Sequence, residues 1–310
     1  MKVSVVVPNY NYGQFVTQAV ESAFAQTYPV TDVIVIDDGS KDNSLEILTG
    51  LRKKFGERLR IVEQKNQGVS RARNRGVELS ESELVAFVDA DDFWSPDKIE
   101  KQVERFKSPK VGVVYCGVRY VDKENQQLGI DLSGMSGNVL REHALFRGTT
   151  VLAGGSTAIV RRACFDRVGG FAPELSTSAD WDLWRRISCF WEVAQVAEPL
   201  VSYRLHSTAM HRNLDVYEHD MLLAFEHMFA DPAASMIHPL KDQSYFNLYM
   251  TLAASNLHAR RIKKTAEFAR KGARLFPAQA FLYALGYPVR IARRRLQMTS
   301  NQSAMAGTWR

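Results

Sequence analysis

Disulfide chemistry is the first thing this sequence lacks. Its three cysteines, Cys116, Cys164 and Cys189, are scattered, odd in number and never spaced as CxxC. That pattern excludes a disulfide framework and a cysteine-held zinc, and points to reduced thiols. Long apolar runs are missing as well. A membrane-spanning helix needs ~20 apolar residues, and the best stretch, residues 278–292, is broken by Gln279, Pro288 and Arg290. No charged leader, apolar segment and cleavage site open the chain, so no secretory signal is expected and a cytoplasmic location follows. Neither GxGxxG nor GxxxxGK(S/T) occurs, which argues against dinucleotide and P-loop sites, where such loops cradle phosphate with backbone N–H groups. Acidic residues almost vanish near the end. Residues 257–296 hold eleven Lys and Arg against one acid, Glu267, while the whole chain is only +6. The remainder is net negative, so no nucleic-acid partner is expected for the protein as a whole.

What is present is a regular alternation. The 310 residues suffice for one large domain with an appendage. Short apolar runs at residues 3–7, 33–36, 59–62 and 84–88 read as strands covered on both faces. Helical spacing fills residues 15–24, 42–55, 68–79 and 95–106, with Ser40 or Asp42 available as a cap for the second and Pro96 in the first turn of the fourth. Alternation on this scale predicts right-handed βαβ units and a mainly parallel sheet in an α/β fold. Beyond it, residues 111–121 are β-rich, 129–136 read as a loop, 156–160 as a strand, 161–168 as a helical turn and 180–190 as a helix. Residues 191–203 suit one or two strands. After residue 213 only helical periods remain, at 214–229, 240–258, 262–276 and 278–296. The expected division is 1–210 for the α/β domain, 211–297 for an α-helical C-terminal region and 298–310 for a disordered tail.

In open α/β sheets, ligands bind at the carboxyl ends of the strands. Three of the expected strands end there in Pro8-Asn9-Tyr10-Asn11, Asp37-Asp38-Gly39-Ser40 and Asp89-Ala90-Asp91-Asp92. Each loop alone has a plain structural reading as a turn or a helix cap. Together they make one strongly acidic edge that would repel a pyrophosphate. A divalent cation between carboxylates and phosphate oxygens removes the conflict, and Mn²⁺ or Mg²⁺ favours few carboxylates plus ligand phosphates and water.

These segments, with Asn66-Gln67-Gly68-Val69-Ser70-Arg71-Ala72-Arg73-Asn74-Arg75-Gly76, Ala179-Asp180-Trp181-Asp182-Leu183-Trp184 and Tyr203-Arg204-Leu205-His206, resemble the family 2 glycosyltransferases of the GT-A fold over residues 1–210. The resemblance implies a nucleotide-diphosphate-sugar donor, with uridine the base to expect, and inverting transfer to an acceptor hydroxyl. It implies that Pro8 and Tyr10 flank the base, Asp38 or Asp37 bonds its edge, Arg73 and Asn74 lie near base and ribose, and Asp89 lies near ribose and donor sugar. Asp91 would bind the metal, His206 would be a second metal or diphosphate contact, and Asp92 structural support. Asp180 matches the catalytic base, which takes the acceptor proton as the new bond forms. Ala179 stands where the family usually has Glu. Trp181 and Trp184 suit either an acceptor wall or the core, and His211 a surface position. Without membrane helices or QxxRW, one-sugar transfer is expected rather than polymerisation, in cell-surface polysaccharide or glycolipid assembly.

The basic tail has two readings. One is helices with a solvated charged face. The other is a peripheral contact with an anionic membrane, which would bring the enzyme to a lipid-linked or other carbohydrate acceptor. Two rival functions stay open. A nucleotidyltransferase would use the same architecture and metal, although its glycine-rich loop with Lys or Arg after the first strand is missing here. A catalytically inactive sugar-nucleotide-binding or membrane-scaffold protein is kept open by Ala179 and the basic tail.

Overall fold

A computed structural model describes residues 1–206 and 213–286. The alternation takes the form β1 (Val3–Asn9), α1 (Gly13–Phe24), β2 (Asp32–Asp37), α2 (Ser44–Phe55), β3 (Leu59–Glu63), α3 (Val69–Leu79) and β4 (Leu84–Phe87). Then follow β5 (Phe93–Trp94), α4 (Lys98–Val103), β6 (Val111–Val121), β7 (Gln127–Asp131), α5 (Leu140–Leu145), α6 (Gly154–Thr157), β8 (Ile159–Arg161), α7 (Arg162–Val168), α8 (Ala179–Ser188) and β9 (Glu192–Arg204). The C-terminal region is α9 (Leu214–Ala230), α10 (Lys241–His258), α11 (Ile262–Leu275) and α12 (Pro277–Leu285), with a 3₁₀ stretch, Pro232–Leu240, before α10.

The strands form one sheet in the order β3-β2-β1-β4-β8-β6-β9-β5, with β7 on the outside of β6. β1 pairs in parallel with both β2 and β4, so the loops after these three strands share one edge. The remaining part is mixed: β8 runs antiparallel to β4 and β6, while β6 and β9 are parallel. Val3, Val5, Val6, Val7, Val33, Ile34, Val35 and Ile36 are all fully buried, as strands covered by helices on both faces require.

Local differences from the sequence expectation have physical causes. α4 starts at Lys98 rather than residue 95, because Phe93–Trp94 is drawn into the sheet against Val201 and Ser202 of β9. Residues 156 and 157 belong to the α6 turn, and the strand there begins at Ile159. The loop expected from residue 129 is strand as far as Asp131, because β7 pairs with β6.

The C-terminal helices have a core of their own, in which Leu140 and Ala144 of α5 meet Met221, Phe225 and Met228 of α9, Leu248 and Leu252 of α10, and Phe268 of α11. The boundary expected near residue 210 falls in 207–212, with His211, outside the described residues. So do the 298–310 tail and the arginines at 290–295. Among the described residues no helix is long and apolar enough to cross a membrane.

Candidate functional site

The first two loops of the site are stitched together by their own polar groups. Asn9 donates from Nδ2 to Asp37 Oδ1 at 2.7 Å, and the Ser40 N–H donates to Asp37 Oδ2 at 3.0 Å. Asn11, left-handed at φ 58°, accepts the Lys41 N–H on its side-chain oxygen at 2.7 Å. Asp38 accepts from Gln64 Nε2 at 2.7 Å and from the Gln67 and Gly68 N–H groups at 2.9 and 2.8 Å. Both aspartates are buried. Asp37, expected with Asp38 as an alternative at the base edge, is a strut between the β1 and β2 loops. Asp38 spends its oxygens on the segment leading into α3. Pro8 is buried in β1 opposite Ile36, whereas Tyr10 stands 39% exposed at the edge, available for stacking on a planar group.

The acidic loop after β4 divides into three different environments. Asp89 keeps part of its carboxylate exposed and pairs with Arg73 of α3 at 2.6 Å. Its backbone N–H donates to Ser156 Oγ of α6 at 3.0 Å. Asp91 Oδ2 lies 2.8 Å from His206 Nε2, joining positions 115 residues apart. Asp92 turns inward. Its Oδ1 accepts the Arg204 N–H at 3.0 Å, and its Oδ2 is buried without a hydrogen-bond partner. Burial, then the charges of Asp91 and Asp89, hold the Asp92 carboxyl well above the usual carboxylate range. The same cluster pushes the Tyr12 and Tyr203 phenols up, burial again being the largest cause.

Such mutual repulsion is relieved by positive charge, and the donor set suits a divalent cation. Among the described residues no three His, Cys, Asp or Glu side chains converge as a closed cation site. Asp91 and His206 are a pair, which fits an ion completed by phosphate oxygens and water rather than by the protein alone.

Asp180 lies in the first turn of α8, where the Trp181 N–H donates to its Oδ1 at 2.7 Å. Burial raises its pKa and Asp89 adds to the rise, while Arg73 and the Trp181 N–H oppose it. Arg73 is itself buried between Asp89 and Asp180, its plane over the Phe171 ring, and is held firmly protonated by Asp89 and then Asp180 against the cost of burial. It pairs with Asp89 and places positive charge near Asp180. Asn74 faces the other way: its amide donates to the Phe171 carbonyl and accepts the Phe171 N–H, each at 2.8 Å. It fixes the loop at Phe171.

Asp182 is buried in ion pairs with Arg185 and Arg186, and Trp184 is core. Trp181 is half-buried and stacks on Phe225 of α9, with ring centroids 5.3 Å apart. Ala179 is fully buried, so the position before Asp180 contributes no polar group.

Several site residues escaped the sequence reading. Gly154, at φ +59°, has no room for a side chain: a Cβ there would lie 2.3 Å from Asp180 Oδ2. A Gly-Gly pair before a strand was the available signal. Arg204, within a quoted motif but given no task, donates to the Asp91 carbonyl at 2.9 Å and to Gln18 and Asn125, with its plane 4.6 Å from the Phe15 ring. It fastens the end of β9, and so His206, to the acidic loop.

Comparison with known proteins bears on the family and the fold. The family model described as Glycosyl transferase family 2 matches residues 4–169. An uncharacterized glycosyltransferase of Nostoc sp. is 30% identical over 225 residues, covering 68% of this chain and 67% of that protein. The chain spans less of some other relatives, 42% in one from Rickettsia felis. Among solved structures, the mannosyltransferase PcManGT from Pyrobaculum calidifontis, in complex with GDP-Man and Mn²⁺, aligns with TM-score 0.63 at 20% identity, over 99% of this chain and 87% of that one. S. aureus TarS 1–349 in complex with UDP-GlcNAc aligns with TM-score 0.62 at 16% identity, over 88% and 91%. The fold of both is the α/β sheet with C-terminal helices described above.

Proposed function

The chain belongs to glycosyl transferase family 2, and from that premise we propose an inverting, metal-dependent transfer of one sugar to an acceptor hydroxyl. The single observation that carries this reading is the convergence of Asp89, Arg73 and Asp180, beside the Asp91–His206 pair, at one sheet edge. Asp91 and His206 are the residues that would hold Mn²⁺ or Mg²⁺, which when bound neutralises charge on the departing diphosphate. Tyr10 stacks on the base, Pro8 and Asp38 shape the loops around it, and Asp89 meets the ribose and donor sugar. Arg73 holds Asp89 and Asp180 in register. Asp180 takes the acceptor proton as oxygen attacks the anomeric carbon from the side opposite the leaving group.

Uridine diphosphate sugars head the donors to try, since a relative of the same fold is solved with UDP-GlcNAc, with guanosine diphosphate sugars next. Cell-surface polysaccharide or glycolipid assembly is the proposed setting, with residues 1–210 as the catalytic domain and the helices after it as a docking region. The test is a panel of nucleotide sugars with Mn²⁺, following nucleoside diphosphate release. Asp91→Ala should lose metal-dependent donor binding. Asp180→Ala should bind donor with transfer reduced at least about a hundredfold, in the range of a lost general base. Wild-type transfer by either variant overturns the assignment of that residue. Donor binding by the wild-type protein without turnover on any acceptor favours an inactive homologue.

A further inference from the structure

The helix that bears Asp180 lacks a cap from its own sequence. Ser178 occupies the N-cap position of α8, yet its hydroxyl makes no cap bond and is buried without a partner. The segment leading into the helix is held instead by a carboxylate of the C-terminal region. Asp220 of α9 places Oδ2 at 2.8 Å from the Ser176 N–H and 2.7 Å from the Thr177 N–H. The Ser178 N–H is 3.4 Å away, and the Ser176 and Thr177 hydroxyls lie at 3.2 and 3.0 Å. Asp220 is only 2% exposed. Among the described residues its ion-pair contact is with His219, whose Nδ1 is 3.6 Å from Oδ1 on a largely exposed ring. A buried carboxylate is tolerable only when hydrogen-bonded, so this one binds the 176–178 segment tightly and is costly to misplace.

That segment ends two residues before Asp180. Further along the same pair of helices, Trp181 stacks on Phe225, and Arg185 pairs with Asp231 at the end of α9. α9 thus meets the segment before α8 through Asp220, Trp181 through Phe225 and Arg185 through Asp231. The room for adjustment at Asp180 is small, because Gly154 approaches its free oxygen closely. A shift of the helix start would move Asp180 relative to Arg73 and to the acceptor oxygen, and catalysis is sensitive to misplacement on the order of 1 Å.

We propose that Asp220 is a positioning residue for transfer, so that the helical region forms part of the catalytic apparatus rather than an appendage. Asp220 touches no substrate and acts through the 176–178 segment. The proposal rests on Asp180 as the base, and the experiment separates the two.

The full-length Asp220→Ala and Asp220→Asn variants are compared with wild type by steady-state kinetics, well below the Tm of each, with any nucleotide sugar the wild type turns over. The expected result is a kcat lowered at least about tenfold with the donor KM within about twofold. In the Asp180→Asn background, Asp220→Ala should then change the residual kcat by less than about twofold, because the group being positioned is already gone. A purely structural role predicts instead a lower Tm with an unchanged kcat, or the same fold-loss in both backgrounds, and either result overturns the proposal. If Asp220→Ala does not fold, Asp220→Asn, which keeps the shape and one acceptor oxygen, is judged by the same criteria. Wild-type transfer by Asp180→Asn alone removes the base assignment and the proposal with it, whereas an inactive Asp180→Asn beside an unaffected Asp220→Ala removes only the proposal.

Discussion

Asp180 and Asp92 are two carboxylates with different partners. Asp180 keeps hydrogen-bond and electrostatic support from the Trp181 N–H and Arg73, and its pKa is raised by burial and by Asp89. A base acts only when ionised, so the acid limb of kcat should lie above about 3.9, the ordinary aspartate value. A profile flat down to that pH contradicts the assignment. Asp92 is buried with Oδ2 lacking a hydrogen-bond partner, and its raised pKa means that ionisation works against folding. In EDTA, Asp92→Asn should raise Tm at neutral pH, with the gain shrinking as pH falls through the raised pKa and gone below the unfolded value of about 3.9. A lower Tm at pH 7 would show that the charge is compensated. The Asp91–His206 contact joins residues whose chemistry was legible from their motifs, but their 2.8 Å approach is a product of Arg204 and the β9 register. Asp37 and Asn74 carry the opposite lesson. Their residue type suits ligand contact, and only the direction of their bonds shows them serving neighbouring loops.

At the scale of elements, the strands and helices with a full period were readable, because several side chains report each of them. The two-residue β5 was not, since pairing with Ser202 and Val201 makes it a strand and no local propensity does. Residues 156 and 157 suit a strand by sequence but belong to the α6 turn, whose geometry depends on Ala153 and Gly154 both taking left-handed backbone. Helix α9 was predicted as a helix, but the amphipathic pattern says nothing of what it touches. Its Phe225 is fully buried, stacked on Trp181 and edge-on to Phe146 and Tyr245. Phe225→Ala should cost about 3–5 kcal/mol, the range for a large side chain removed from a packed core. Denaturant unfolding checks this, and a loss under about 1 kcal/mol would mean that α8 and α9 are weakly coupled.

The whole molecule presents an uneven surface. α12 carries no charged residue and exposes Phe281, Leu282 and Leu285 at 65%, 65% and 61%. The exposed Arg270 and Arg274 lie on the neighbouring α11. An apolar face beside basic side chains suits the interface of an anionic bilayer. The sequence showed the charge excess, but the outward direction of the apolar face required the packing of α12 through Ala280. Vesicles rich in anionic lipid should bind the full chain more strongly than neutral ones, and less so at high salt. Phe281→Ser with Leu285→Ser should weaken that binding about tenfold or more, given about 1.5–3 kcal/mol for each large apolar side chain buried. Equal sedimentation of variant and wild type with anionic vesicles would sink the membrane contact while leaving the catalytic reading intact. The central claim concerns the sheet edge that carries the β1, β2 and β4 loops, together with Asp180 of α8. Its most direct measurement is a crystal structure with a donor that turns over and Mn²⁺, collected for the anomalous signal of the metal. The account predicts one metal peak bound by Asp91 and His206 and by the diphosphate, with the anomeric carbon open on the side of Asp180. A metal peak away from Asp91, or a sugar whose anomeric carbon is turned from Asp180, would contradict it.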